Sequence, residues 1–367
     1  DAEALRWTWV ACRSAMDVWD HEALEVLSIR LVELTRNAGA LAALPLALTL
    51  RMGIHLYAGD LGTVTSLSAE VEAVTEATAS QLAPYGALLL AAWRGREAEA
   101  AAVIKATIDE VVPRGEAIGV PFAHWASAVL YNGLGRYQDA RAAAEQASEH
   151  REDLEPYNWS LAELVEAAIR SGEPEVAIGA LGRLAQTTRP SGTDWGLGIE
   201  ARSRALVSAG ERAEILYREA IERLDRAGIH AELARAHLLY GEWLRRERRR
   251  QDAREQLRCA HYLFTDFGMD VFGERARVEL EATGEHARKR TADTRDDLTP
   301  QEAQICRLAG EGATNQEIAA QLFISPSTVD YHLRKAFRKL DVKSRRQLKQ
   351  LLLQPTAGAG RAARARC

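Results

Sequence analysis

Little in this 367-residue chain would build a sheet, because runs of Val, Ile and Thr in strict alternation are missing. Cysteine is scarce: Cys12, Cys259, Cys306 and Cys367 lie far apart, with neither metal nor redox spacing. That excludes a disulfide framework and reads as reduced thiols in a cytoplasmic protein. No signal-peptide pattern opens the chain. The most apolar run, "AGALAALPLALTL" from Ala38 to Leu50, is 13 residues long and contains Pro45. A bilayer span needs roughly 20, so a buried helix pair is expected there and no membrane partner. Catalytic vocabulary is equally thin. His21-Glu22 has no second His four residues after the first, and neither G-x-S-x-G nor G-x-x-x-x-G-K-[ST] occurs. No enzyme, metal site or cofactor is expected of these residues. An acidic α/β receiver domain is excluded by the same lack of strands.

What the chain does have is helix-forming material. It is 47% hydrophobic and 27% charged, a globular balance dominated by Ala, Leu, Glu and Arg. The first residues are not Met but Asp1-Ala-Glu-Ala-Leu-Arg-Trp, which already reads as helix and suggests a piece of a longer protein. Over residues 1–283 one phrase recurs, a turn residue and a few polar ones before Ala opens an amphipathic helix. It appears as "WRGREAEAAAVIKA", "GLGRYQDARAAAEQA", "RSGEPEVAIGALGRLA", "SAGERAEILYREAI" and "RERRRQDAREQLRCA". Aligning Ala98, Ala140, Ala177, Ala213 and Ala253 gives spacings of 36 to 42 residues. Such a period marks stacked helical hairpins, each burying its apolar face on its neighbours. The copy with Gly135, Tyr137 and Ala140 resembles a tetratricopeptide-type repeat, so the array reads as TPR-like. All eight tryptophans fall in it, Trp7 to Trp243, as core packing or as an aromatic groove for a ligand or partner.

The stretch 284–297, "GEHARKRTADTRDD", is polar, without apolar period, and reads as a linker. Residues 298–353 then carry four short helices, three with capping boxes: Thr299 with Glu302, Thr314 with Glu317, and Ser344 with Gln347. Ile305, Leu308 and Ala309 form one apolar stripe, closed by Gly310 and Gly312. Ile318, Ala319 and Leu322 form the next. The fourth helix, about 326–340, starts at Ser325 with Pro326 in its first turn. The tight joint before it is the helix-turn-helix arrangement.

Sorting that helix by face separates three roles. Val329, Leu333, Ala336, Phe337 and Leu340 make the buried side. Ser327, Asp330, Tyr331, Arg334 and Arg338 fall opposite, and Thr328, His332, Lys335 and Lys339 on a flank. One apolar side with donors and cations elsewhere suits a helix in a major groove. From Leu298 onward there are 12 Lys and Arg against 5 Asp and Glu, about +7, within a chain whose net is −5. The remainder therefore carries about −12, which confines nucleic-acid affinity to this basic module. The tail 354–367, "QPTAGAGRAARARC", has three arginines and reads as disordered.

These residues resemble the DNA-binding domain of LuxR-type transcription regulators. The likeness is carried by Leu298-Thr299 with Glu302, Asn315 with Glu317-Ile318-Ala319, Leu322, Ser325, Thr328-Val329, His332, Lys339-Leu340, Val342 and Arg345. Following a long helical array, the module looks like the C-terminal half of the large ATP-binding members of that family. An ATPase domain would then belong to a segment outside this chain. The resemblance implies double-stranded DNA as partner, with Asp330, Tyr331 and Arg334 at base edges. It gives Ser325, Ser327, Thr328, Lys335, Arg338 and Lys339 to the DNA backbone. It further implies activation with RNA polymerase, a ligand or protein sensed by the repeats, and a homodimer on DNA through Leu348, Leu351 and Leu352, unless these complete the core. The competing reading is a helical-repeat interaction scaffold with an accessory helix-turn-helix. The expected fold is all-α, a TPR-like solenoid followed by a small four-helix domain.

Overall fold

A computed structural model describes residues 2–78, 83–149 and 155–285, and in the C-terminal portion 305, 306, 308–310, 312–322, 329, 333, 336, 337, 347 and 348. The chain divides into two compact units, Asp1–Ala287 and Arg288–Cys367. No strand occurs among the described residues, and the all-α expectation holds.

The first unit has fifteen described helices. They are α1 (Ala2–Asp17), α2 (His21–Asn37), α3 (Leu44–Tyr57), α4 (Leu61–Thr78), α5 (Tyr85–Arg94), α6 (Glu97–Arg114), α7 (Gly119–Gly133) and α8 (Tyr137–Ala147). Then come α9 (Glu155–Ser171), α10 (Pro174–Ser191), α11 (Asp194–Leu206), α12 (Gly210–Arg226), α13 (His230–Arg246), α14 (Arg250–Phe267) and α15 (Asp270–Ala282). They pair as antiparallel hairpins, and the even-numbered helices start alike. The fourth residue of each is buried where it crosses its partner: Leu24, Val64, Ala100, Ala140, Ala177, Ala213 and Ala253. Seven hairpins thus repeat every 36 to 40 residues. In α6 the buried alanine is Ala100, whereas Ala98 is exposed, so the true phase lies two residues beyond the sequence alignment. Small side chains here let paired helices approach closely, as also at Gly241, whose added Cβ would lie 2.6 Å from Leu257.

The apolar run Ala38–Leu50 is not a helix pair. Residues up to Ala43 form turns, and Pro45 sits in the first turn of α3, where its missing N–H costs nothing. Two turns hold non-glycine residues in the left-handed region, Trp19 at φ 59° and Arg248 at φ 63°. Trp19 is held there by burial and by an edge-on contact with Trp195, ring centroids 5.2 Å apart. Six of the eight tryptophans are buried, Trp19, Trp93, Trp125, Trp159, Trp195 and Trp243, so the aromatics mainly pack the core.

The odd-numbered helices line the inner side, each touching the next from α3 to α15. The superhelix then closes on itself: α13 reaches α3, and α15 reaches α5 and α7. His230 Nδ1 lies 3.2 Å from the Ala58 carbonyl, 172 residues away in sequence. Phe267 covers Gly59, where an added Cβ would fall 2.5 Å from its ring.

This closure buries charge. Arg235 forks onto Glu163 at 2.5 and 2.9 Å and onto Glu166 at 2.7 Å. Arg275 donates to Glu166 at 2.7 Å, to Glu242 at 2.8 Å and to the Asn132 carbonyl at 2.9 Å. Arg170 pairs with Glu242 and Arg202 with Glu232. Asn132 Nδ2 adds a 2.8 Å bond to Glu163. Four guanidinium groups thus face four carboxylates, the network is neutral, and its carboxylates have side chains no more than 8% exposed. Burial pushes the Glu166 carboxyl up, but Arg275, Arg235 and Arg202 outweigh it and hold it below the usual range.

Candidate nucleic-acid interface

In the second unit the local chemistry starts at Thr314. Its backbone N–H donates to Glu317 Oε2 at 2.7 Å and its hydroxyl to the same oxygen at 2.8 Å. Glu317 N–H returns a 3.3 Å bond to Thr314 Oγ1. This is the reciprocal capping box read from the sequence, and it opens α16 (Asn315–Leu322). The two bonds from Thr314 hold the Glu317 carboxyl below its ordinary range. The helix before it ends through Gly312 at φ 105°, with Gly312 N–H on Ala309 O and Ala313 N–H on Leu308 O. Glycine suits that left-handed position because it has no Cβ to clash.

These elements enclose one small core. Ile305, Cys306, Leu308 and Ala309 pack with Ile318 and Ala319, with Val329, Leu333 and Ala336, and with Leu348; Ala313 and Phe337 flank it. Val329, Leu333 and Ala336 are helical and buried at i, i+4 and i+7, a single stripe. The apolar faces read from the sequence are therefore the ones that meet. Leu348 is fully buried in this core, which assigns it to packing within the unit. Cys306, 1% exposed, belongs to the same core; its place beside Ile305 and three residues before Ala309 was the available signal.

The residues expected to touch DNA lie outside the described ones. They are Asp330, Tyr331 and Arg334 at base edges, and Ser325, Ser327, Thr328, Lys335, Arg338 and Lys339 at the backbone. Thr299 with Glu302, Ser344, His332, Leu340, Leu351 and Leu352 lie outside as well, as do the Leu322 side chain and the tail 354–367. Among the described residues no group of His, Cys, Asp or Glu is placed to hold a metal ion. No described helix is long and apolar enough to cross a membrane.

The family model of the bacterial regulatory proteins, luxR family, matches residues 296–352. A HTH-type transcriptional regulator of Mycobacterium tuberculosis is 46% identical over 65 residues, 18% of this chain and 7% of that protein. The nitrate/nitrite response regulator protein homolog of Haemophilus influenzae is 50% identical over 50 residues, 14% of this chain and 24% of that one. The spore germination protein GerE of Bacillus subtilis is 44% identical over 50 residues, 14% of this chain and 68% of its own length. The match with the mycobacterial relative thus spans a small fraction of that much longer protein. No solved structure matches the chain.

Proposed function

With a luxR-family helix-turn-helix domain at residues 296–352, we propose that the chain is a sequence-specific DNA-binding transcriptional regulator. The helix containing Val329, Leu333 and Ala336 enters the major groove. Asp330, Tyr331 and Arg334 read base edges there, while Ser325, Ser327, Thr328, Lys335, Arg338 and Lys339 hold phosphates. One observation carries the reading: the buried stripe of that helix faces Ile305, Leu308 and Ile318. Buried at i, i+4 and i+7, Val329, Leu333 and Ala336 support a helix that commits one side to the core and leaves the other for DNA. The helical-repeat unit then acts as the sensing body, on a ligand or protein partner. The protein works in the cytoplasm as an activator with RNA polymerase, as a homodimer on DNA, and any ATPase domain precedes these residues. A pure interaction scaffold draws less support, since it leaves the luxR-family match over residues 296–352 without a central role.

Fluorescence anisotropy with genomic fragments, repeated across salt, tests the reading. Affinity should fall steeply with salt as phosphate contacts release counterions. Arg334→Ala should relax sequence discrimination by about 1–3 kcal/mol, whereas Lys339→Ala should weaken all sequences alike and reduce the salt slope by about 1. Weak binding without a salt slope, or equal effects of both changes on specific and random DNA, overturns it.

A further inference from the structure

The last helix of the array, α15, crosses back to the early repeats and fills a groove there. Val271 lies over Gly95 and Gly133; a Cβ on Gly133 would fall 2.7 Å from Val271, and one on Gly95 would meet it more closely still. Phe272 packs on Trp93, centroids 5.5 Å apart. One turn on, Arg275 enters between Glu166, Glu242 and the Asn132 carbonyl, with its guanidinium 5.5 Å from the Tyr137 ring. This is the way a groove holds a foreign helix: an aliphatic anchor, an aromatic anchor and an arginine on one face. Here the occupant belongs to the chain itself.

The groove is also built to lose its occupant. Without Arg275, Glu166 keeps Arg235 at 2.7 Å and Glu242 keeps Arg170, so no buried carboxylate is stranded. Arg170 is held down to about 10, first by burial, then by nearby Arg275 and Arg246, so withdrawing Arg275 relieves it. Arg235 is different, for it alone among the guanidinium groups reaches Glu163. At its N-terminal end α15 adds an exposed pair to the residue before α6, Arg96 to Asp270 at 3.8 Å, beside the Val271 and Phe272 contacts. Among the described helices of this unit it comes last, and it stacks on α14 and α13.

We propose that α15 is a displaceable latch, an occupant in cis of an acidic and aromatic groove formed by α5, α7, α9 and α13. When it leaves, the same groove takes a partner helix with an aliphatic and an aromatic residue followed three residues later by Arg. The proposal does not rest on the DNA-binding reading. Hydrogen exchange on the full chain tests the latch. In the unaltered protein, α15 amides should exchange about tenfold faster than those of α9 and α13, through an opening of their own. Arg275→Gln should speed α15 and the last turns of α5 and α7 about tenfold further, leaving α10 to α12 unchanged. Val271→Ala, which loosens the apolar half alone, should do the same and keeps the test readable if Arg275→Gln does not fold. A labelled peptide of residues 269–283 should bind the Arg275→Gln chain at least about tenfold better than the unaltered one, and lose that binding when its own Arg is Ala. Exchange of α15 in step with α9 and α13, or acceleration of every helix alike, overturns the latch. Equal peptide affinity for both chains overturns the groove.

Discussion

Replacing Arg235 by Met should destabilise the whole repeat unit, and the structure sets the size of the effect. Its side chain is 1% exposed and bonded to Glu163 and Glu166. Glu166 retains Arg275 after the change, but Glu163 is left with Asn132 alone. Removing one partner of a buried ion pair typically costs about 3–5 kcal/mol, because the other charge stays desolvated. The guanidinium also lies 5.0 Å from the Phe272 ring and 5.7 Å from Trp93. A desolvated cation–π contact is worth about 1 kcal/mol or more, giving about 4–6 kcal/mol in all. Domains of ordinary stability have about 5–15 kcal/mol in total, so the variant should be near unfolding. Urea unfolding followed by far-ultraviolet circular dichroism measures this. Glu163→Gln with Arg235→Met removes both charges and should recover about 2 kcal/mol relative to the sum of the singles. A single-variant loss below about 1 kcal/mol, or strict additivity, would refute the view that these charges depend on each other.

Three further outcomes are expected. Burial depresses the imidazole pKa of His237, and likewise of His21, His55 and His124, below the ordinary value. The unfolded chain then binds protons first, so stability is full above pH about 6.5 and falls as pH drops through it. Glu166, depressed from its ordinary range, adds a second loss below pH about 4.3. A melting temperature that stays flat or rises between pH 7.5 and 5.5 contradicts this. Arg248 is exposed and left-handed, so Arg248→Gly should raise stability by about 1 kcal/mol in urea titrations. Thr314→Ala removes the cap of α16 and should speed exchange of the Glu317 amide about fivefold, without affecting the repeat unit.

Much of this was readable in the sequence, and the failures have a common cause. Capping at Thr314 and the stripe of Val329, Leu333 and Ala336 are local, set by residues within two helical turns. So is the repeat period where the crossing residue is Ala140, Ala177, Ala213 or Ala253. The same crossing is filled by Leu24 and Val64 in the first two hairpins, which hides them from a search for alanine. At α6, three consecutive alanines follow Glu99, and sequence offers no means of choosing the buried one. The groove residues of the helix-turn-helix are implied by the LuxR-type resemblance, in agreement with the faces of the helix, and they lie outside the described residues.

Charged residues of the inner helices mislead for a deeper reason. Glu163, Glu166, Arg202 and Arg235 look like solvent-facing residues, because their partners are 30 to 72 positions away. Only closure of the superhelix brings them together. An inner side made wholly of Leu and Ala could close in several offsets at similar cost, since apolar contacts are not directional. Ionic partners remove that freedom. Glu163 and Glu166 are three residues apart, so one guanidinium can span both on one helix face. Sliding α13 by one turn along α9 would leave at least one carboxylate buried and unpaired, at several kcal/mol. The network therefore selects one register of closure, and its cost in desolvation is offset by excluding the alternatives. Sequence periodicity reports how each hairpin folds; the register in which the hairpins close is encoded in pairs that no local pattern links.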